Sequence, residues 1–290
     1  MKIGFIGLGI MGEPMCCNVV KKHDDKVFVY DIRKERIEIV ARYGAIGCDS
    51  VAEVARNSDV IITVVPRSEH ALEVYSEILP VADSSKICID MSTIDIDMSL
   101  FICKMLNEKG AYFLDAPIVK SQAAARMGDV GIYVGGDLDI YRQIKPILQY
   151  MGRSVMRMGE NGKGLLMKIC NNALTAQIQN GVNETLALAL SQGIDIDKFG
   201  AAVSYGFGQN AYFDSKQMAL RYKDYTTQLS LENMAKDLGI CQRLAERLNV
   251  SMPGLDVAAA VYEDALKEGD PGRDYCATLD TVKKRMHKDH

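Results

Sequence analysis

The sequence lacks any hydrophobic run of the roughly 18 residues that a membrane-spanning helix needs. It also lacks the features of a signal peptide, because the N-terminal apolar stretch contains one Lys and runs directly into a glycine loop. Eight cysteines are present, but none forms a CxxC pair, and a chain of 290 residues does not need disulfides for stability. We therefore expect a cytoplasmic protein whose cysteines are reduced and mostly small core residues.

The sequence also has no excess of positive charge. Its 34 Lys and Arg residues are outnumbered by 38 Asp and Glu residues, which gives a net charge of −4. We therefore expect no general attraction to nucleic acid or to an anionic membrane. Hydrophobic residues make up 48% of the chain and charged residues 25%, which is typical of a folded protein, and the length fits two domains.

Short apolar runs alternate with helical patterns up to about residue 160. The runs are almost continuously apolar, which predicts strands buried on both faces of a parallel sheet. Alternation of strand and helix predicts the α/β class, with a doubly wound sheet. The predicted strands are 2–6, 26–30, 59–65, 86–90, 111–115 and 131–136, and the predicted helices between them include 33–43 and 68–79.

The pattern changes near residue 160, after which the apolar spacing is helical and no convincing strand remains. The sequence thus predicts two domains, 1–161 and 162–290, of which the second is all-helical and built on a long helix. The predicted helices of this domain are 165–192, 212–222, 230–248, 252–267 and 274–288, and residues 283–290 are expected to be a frayed, solvated helix end.

A glycine motif, GxGxxG, directly follows the first predicted strand and opens a helix. Its residues are Gly7, Leu8, Gly9, Ile10, Met11 and Gly12. The first glycine permits a tight turn, the second lets a pyrophosphate approach the backbone, and the third lets the helix pack closely on the strand. This context predicts a dinucleotide site. The alternative is a glycine turn that binds no ligand.

An acidic residue, Asp31, follows the second strand about 20 residues after this motif. Its carboxylate would accept hydrogen bonds from the adenosine ribose hydroxyls and would repel a 2′-phosphate, which favours NAD over NADP. Arg33 and Lys34 weaken this preference because either could reach a phosphate. Alternatively, Asp31 is an ordinary helix cap.

Two further strand ends are expected to face the same crevice, because ligands bind beyond the carboxyl ends of parallel strands. Val65 and Pro66 end the third strand, and Ser92 and Thr93 follow the fourth. Thr93 could bond the nicotinamide ribose or amide. The alternative is that Ser92 or Thr93 caps the following helix.

The start of the long helix carries a candidate for proton transfer, Lys168, with Asn172 one turn later on the same face. A lysine among apolar residues can exchange a proton near neutral pH, and a nearby amide can hold it or a substrate oxygen. From the spacing alone, the alternative is that Lys168 extends its amine to solvent and Asn172 is a satisfied interior amide.

Several ordered motifs together resemble the β-hydroxyacid dehydrogenases, the group that includes 3-hydroxyisobutyrate dehydrogenase. The resemblance covers essentially the whole chain. The motifs are the glycine turn followed by Pro14 and Met15, Asp90-Met91-Ser92-Thr93, Asp115-Ala116-Pro117, Gly135-Gly136, Gly164 to Lys168 with Asn171 and Asn172, and Lys236-Asp237-Leu238-Gly239.

This resemblance implies a Rossmann domain followed by a helical domain, and it implies roles for single residues. Lys168 matches the catalytic lysine, Asn172 the asparagine that holds the substrate, and Lys236 a lysine near the nicotinamide. It implies hydride transfer between the nicotinamide and the carbon that bears the hydroxyl. The positions that match cofactor contacts are Ile10, Met11, Asp31, Val65 and Thr93.

The substrate loop departs from the usual family sequence DAPVSGG, whose serine and glycine amides hold the substrate carboxylate. Val119 stands where the serine is expected, and Lys120 and Ser121 replace the two glycines. Lys120 would instead place a positive charge in the anion pocket. The sulfolactaldehyde reductases are similar in having an arginine at this position and in resembling residues 272–277. The alternative is that Lys120 points to solvent.

The sequence therefore predicts an NAD-dependent oxidoreductase for a small 3-hydroxy acid or a semialdehyde with a carboxylate or sulfonate tail. We expect no metal, and the long apolar helix suggests a homodimer or homotetramer. The alternatives are a related 6-phosphogluconate-type dehydrogenase or imine reductase, and a catalytically silent NAD-binding scaffold.

Overall fold

The computed structural model describes residues 1–286, which form two compact units. The first unit is Met1–Lys168 and the second begins at Ile169. The boundary predicted between residues 161 and 162 lies slightly earlier in the chain.

A single sheet of nine strands forms the centre of the first unit within the described residues. The strands are β1 (Ile3–Ile6), β2 (Val27–Tyr30), β3 (Ile46–Gly47), β4 (Val60–Thr63), β5 (Ile87–Asp90), β6 (Tyr112–Asp115), β7 (Ile118–Val119), β8 (Gly131–Gly135) and β9 (Ser154–Gly159). Six of them lie parallel in the order β3-β2-β1-β4-β5-β6, which is the Rossmann arrangement. The chain order reverses between β1 and β4, so their carboxyl ends open a ligand crevice. The predicted doubly wound sheet is confirmed.

One edge of the sheet differs from the prediction. Strand β8 runs antiparallel to β6 and β7 and parallel to β9, so the expectation of a wholly parallel sheet is wrong there. Strands β3, β7 and β9 were not predicted. β3 and β7 have two residues each, too few to show a period, and β9 interleaves polar residues with methionines.

Helices cover both faces of the sheet in the first unit. They are α1 (Gly12–Lys22), α2 (Lys34–Ala41), α3 (Val51–Asn57), α4 (Ser68–Ile78), α5 (Ile96–Asn107), α6 (Gln122–Arg126) and α7 (Leu138–Leu148). Successive strand residues point to opposite faces. Phe5 and Ile62 accordingly pack with α1 and α7 in one core, whereas Ile61 and Cys88 pack with α3, α4 and α5 in the other. Burial on both faces explains the continuous apolar runs.

The second unit is helical, as predicted. A 29-residue helix, α8 (Lys163–Ser191), leads into it. The other helices are α9 (Ile196–Val203), α10 (Ala211–Tyr222), α11 (Leu231–Arg247), α12 (Pro253–Glu268) and α13 (Thr278–Met286). The short α9 was not predicted. The frayed end expected at 283–290 falls partly on residues 287–290, which lie outside the described residues.

A buried ion pair holds two segments of the second unit together. The Lys216 amine lies 2.9 Å from the Asp274 carboxylate, and both side chains are almost fully buried. Asp274 also accepts backbone hydrogen bonds from Gln228, Leu229 and Cys276. Residues 272–277, which resemble a family motif, therefore have a structural role around this carboxylate.

All eight cysteines are free thiols, and six of them are buried, as expected for core residues. Burial raises the pKa of the Cys48 thiol to about 11 and that of the Cys88 thiol to about 12. None of the described helices is long and apolar enough to cross a membrane.

Candidate active site

The glycine turn follows β1 and leads into α1. Gly7 has a φ of +92°, and a Cβ there would lie 2.2 Å from the Val64 carbonyl oxygen. A Cβ at Gly12 would lie 2.0 Å from the Gly7 carbonyl oxygen. A Cβ at Gly9, in contrast, would have no atom within 4 Å. The fold itself therefore requires Gly7 and Gly12, whereas the open space at Gly9 fits a dinucleotide whose pyrophosphate approaches the backbone.

The other residues of the turn differ in exposure. Leu8 is fully buried and Ile10 is 54% exposed. Met11 is half-buried and occupies the N-cap position of α1, and its side chain makes no bond to the backbone N–H groups at the start of this helix.

Asp31 ties the end of β2 to this turn. Its carboxylate accepts hydrogen bonds from the Leu8 N–H at 2.6 Å and from the Arg33 N–H at 2.9 Å. Arg33, rather than Asp31, occupies the N-cap position of α2, so the alternative that Asp31 caps this helix is wrong. The two backbone bonds fix the orientation of the carboxylate beside the glycine turn.

The loops after β4 and β5 are joined by Ser92. Its hydroxyl accepts a hydrogen bond from the Val65 N–H at 2.9 Å, and its own N–H donates to Asp90. Asp95 occupies the N-cap position of α5, so the alternative that Ser92 or Thr93 caps this helix is wrong. Thr93 is half-buried and Pro66 exposed at the same edge of the sheet.

A buried carboxyl group, Asp90 at the end of β5, binds the loop that follows this strand. One of its oxygens accepts hydrogen bonds from the Thr63 hydroxyl at 2.9 Å and from the Ser92 N–H at 3.1 Å. The Thr63 hydroxyl also bonds to the buried Tyr75 hydroxyl. Burial is the main cause that raises the pKa of Asp90, while its hydrogen bonds to Ser92 and Thr63 oppose the rise. This role of Asp90 was not predicted, although an acidic residue at the end of an apolar strand was a signal for it.

The raised pKa of Asp90 should make stability depend on pH. The folded protein holds this proton above the pH at which the unfolded chain releases it, so the contribution of Asp90 is present below the unfolded pKa and is lost as the pH rises through the folded pKa. We therefore compare the change in the free energy of unfolding between pH 7.5 and pH 4 for the natural protein and for Asp90→Asn. The change should be more favourable for the natural protein, by about 1.4 kcal/mol for each unit by which the pKa of Asp90 is raised. Urea unfolding at both pH values measures this; equal pH responses would contradict it.

A second buried carboxyl group, Asp115, anchors the start of α8. Its two oxygens accept hydrogen bonds from the Gly162 N–H at 2.7 Å and the Leu165 N–H at 2.8 Å. A Cβ at Gly164 would lie 2.8 Å from the Asp115 carbonyl oxygen, so the helix start lies close against β6. Burial is the largest influence on its pKa and raises it. Asp115 thus holds the helix turn that precedes Lys168.

Lys168 and Asn172 lie one turn apart on α8, and both are nearly buried, with 8% and 4% exposure. The Asn172 side-chain amide donates to the Asp237 carboxylate at 2.7 Å. The Lys236 amine lies 3.4 Å from the same carboxylate. The structure therefore brings Asn172 and Lys236 together through Asp237, a residue for which no role was predicted.

Two family models match the chain. The model for the NAD binding domain of 6-phosphogluconate dehydrogenase matches residues 2–159, and the model described as NAD-binding of NADP-dependent 3-hydroxyisobutyrate dehydrogenase matches residues 162–282. The mitochondrial 3-hydroxyisobutyrate dehydrogenase of Drosophila melanogaster is 31% identical over 97% of this chain and 89% of its own. The chain belongs to the β-hydroxyacid dehydrogenase family, which includes 3-hydroxyisobutyrate dehydrogenase.

Other relatives match a similar share of the chain. The NAD-dependent L-serine dehydrogenase of Pseudomonas aeruginosa is 29% identical, over 94% of this chain and 95% of its own. The structure of Mycobacterium tuberculosis 3-hydroxyisobutyrate dehydrogenase with L-serine aligns with a TM-score of 0.90 and 25% identity, covering 97% of this chain and 99% of that one. The predicted family and its oxidoreductase class are confirmed, and the chain carries a nicotinamide dinucleotide-binding domain.

The loop that the sequence predicts to bind the substrate, residues 115–121, shows how a departure from the family sequence is accommodated. Lys120 has a φ of +82°, the left-handed conformation that favours glycine, so this lysine keeps the backbone conformation that suits the family's glycine. Its amine pairs with the Asp129 carboxylate at 2.8 Å, and the side chain is exposed. The hydrogen bond from Lys120 is the main cause that lowers the pKa of Asp129. Val119 lies in β7, and the Ser121 hydroxyl caps α6 by accepting from the Ala124 N–H.

Proposed function

We propose that this protein is an NAD-dependent oxidoreductase that transfers a hydride between the nicotinamide and a small 3-hydroxy acid or anionic semialdehyde. The observation that carries the proposal is the nearly buried Lys168, one helical turn before Asn172, in a family of dehydrogenases. A lysine with no role beyond solvation keeps its amine in water and is mostly exposed. Lys168 is only 8% exposed.

In this proposal Lys168 is the acid/base of the reaction. Its amine takes the hydroxyl proton during oxidation or gives a proton to the carbonyl oxygen during reduction. Asn172, whose amide is oriented by Asp237, holds the same substrate oxygen. When bound, the nicotinamide supplies the hydride acceptor or donor. The protein residues thereby position the oxygen and move its proton.

We propose that the cofactor lies on the glycine turn of the first domain. The residues proposed to contact it are Gly7, Leu8, Gly9, Ile10, Met11, Gly12, Asp31, Val65, Pro66, Thr93 and Lys236. The buried carboxylate of Asp31 favours NAD, because it would repel a 2′-phosphate. Arg33 lies 3.8 Å from that carboxylate and offsets part of its charge, so NADPH is a necessary comparison in any assay.

The substrate is proposed to be small and anionic. An ammonium group has three donors, so Lys120 can bind Asp129 and an anionic tail together, with Ser121 and Val119 beside it in the loop. The names of the relatives from Drosophila melanogaster and Pseudomonas aeruginosa both specify a small carboxylate.

We also propose that the protein is cytoplasmic and forms a homodimer or homotetramer. The exposed leucines Leu174 and Leu188 on α8, each 58% exposed, support the association of subunits.

An absorbance assay with NADH or NADPH tests the proposal. Carboxylate- and sulfonate-tailed semialdehydes should oxidise NADH at least about tenfold more efficiently than an aldehyde with a neutral tail, because a bond to a charged group contributes about 1.5–3 kcal/mol. Lys120→Gly, which suits the positive φ, and Lys120→Ala should both lose this preference. If Lys120→Gly kept it, the backbone rather than the amine would select the anion.

The same assay distinguishes the other functions. Dinucleotide binding without turnover of any compound would indicate a silent scaffold. Reduction of an imine, or turnover of 6-phosphogluconate alone, would place the protein with those related enzymes. Any of these three results would contradict the proposed function.

A further inference from the structure

Helix α6, which follows the substrate loop, is hydrogen-bonded to α1, which follows the glycine turn. The side-chain amide of Asn18 on α1 is 9% exposed and donates to the Ala125 carbonyl at 2.8 Å and to the Pro14 carbonyl at 3.0 Å. In the turn after α6, a Cβ at Gly128 would lie 2.7 Å from the amine of Lys22. The two helices are therefore in close contact, and one cannot shift far without the other.

The first residue of α6 reaches the glycine turn itself. The Gln122 side-chain amide donates to the Ile10 carbonyl at 3.2 Å. A trans peptide is planar, so its C=O and N–H point in opposite directions. Holding the Ile10 carbonyl therefore sets the direction of the Met11 N–H at the start of α1, where dinucleotide-binding turns receive the pyrophosphate.

The same residue directly follows the substrate loop. Val119, Lys120 and Ser121 precede Gln122 without a break, and Ser121 caps α6 through the Ala124 N–H. The backbone at Lys120 has a left-handed conformation. Gln122 therefore belongs both to the segment that continues from the substrate loop and to the contact with the glycine turn.

We propose that Gln122 is a positioning residue that couples the dinucleotide turn to the substrate loop. Ordering of the turn by a dinucleotide orders the loop for an anionic substrate, and an anion in the loop tightens dinucleotide binding by the same factor. The inference rests on the proposed function, because it needs both ligands to bind where that function places them.

Fluorescence titration of NADH, alone and with 3-hydroxypropionate or 2-hydroxyethanesulfonate, tests the coupling. In the natural protein we expect either anion to lower the NADH Kd at least about fivefold. Gln122→Met, of similar length but without a donor, should raise the NADH Kd about two- to tenfold, as expected for one lost hydrogen bond. It should also reduce the coupling to nearly one, with kcat at saturation changed by less than about twofold.

The matched control is Met127→Gln, the reverse replacement at the end of the same helix, where the side chain is 68% exposed. It should keep both the NADH Kd and the coupling. Gln122→Glu, which turns the donor into an acceptor, should behave as Gln122→Met. Natural coupling in both Gln122 variants, or no coupling in a natural protein that binds NADH, overturns the inference. A natural protein that binds no NADH overturns the proposed function instead.

Discussion

Replacing Lys168 with alanine should lower kcat by about 10²- to 10⁴-fold, the usual contribution of a positioned acid/base. Lys168 is nearly buried on α8, and Asp115 fixes the helix turn before it through the Gly162 and Leu165 N–H groups. Dinucleotide affinity should stay within about twofold, because the proposed pyrophosphate contacts belong to the glycine turn. Steady-state turnover together with NADH titration measures both quantities.

A control on the same helix separates chemistry from helix stability. Lys163 is the first residue of α8 and its side chain is exposed, so Lys163→Ala should keep full turnover. Lys168→Arg retains the positive charge but cannot release its proton near neutral pH, and we expect it to be as slow as the alanine variant. Full turnover of Lys168→Ala would show that another group moves the proton.

Local sequence predicted the elements whose signal lies within a short stretch of chain. The glycine turn was found because β1, the tight turn and α1 occupy residues 3–22, and Asp31 was found because it lies at a set distance from them. The six apolar runs predicted six of the nine strands, because a strand buried on both faces is apolar along almost its whole length.

The rest depends on contacts between distant parts of the chain. Asp115 is 47 residues from its partner Gly162, and Asp237 is 65 residues from Asn172, so no local pattern shows either bond. The substitution of lysine for a family glycine was visible at residue 120. Its pairing with Asp129 and its positive φ were not, because both depend on how β7 meets β8.

The glycine motif allows a test that separates folding from binding. Gly12→Ala should destabilise the protein by about 3 kcal/mol, because its Cβ would lie 2.0 Å from the Gly7 carbonyl oxygen and the backbone would have to move. Gly9→Ala should leave stability unchanged within about 0.5 kcal/mol, as for other open positions, because its Cβ meets no atom within 4 Å. Chemical unfolding of the two variants measures this contrast.

The affinity for NADH should respond to the replacement that leaves stability unchanged. Gly9→Ala should weaken NADH binding about tenfold or more, because the added methyl occupies the space that the pyrophosphate needs, and a clash of about 1–3 kcal/mol corresponds to this range. A stable Gly9→Ala protein that binds NADH normally would show that the turn serves only the fold. A stable protein that has lost NADH binding would show that Gly9 is needed for the ligand, since a Cβ there meets no protein atom within 4 Å beyond its chain neighbours.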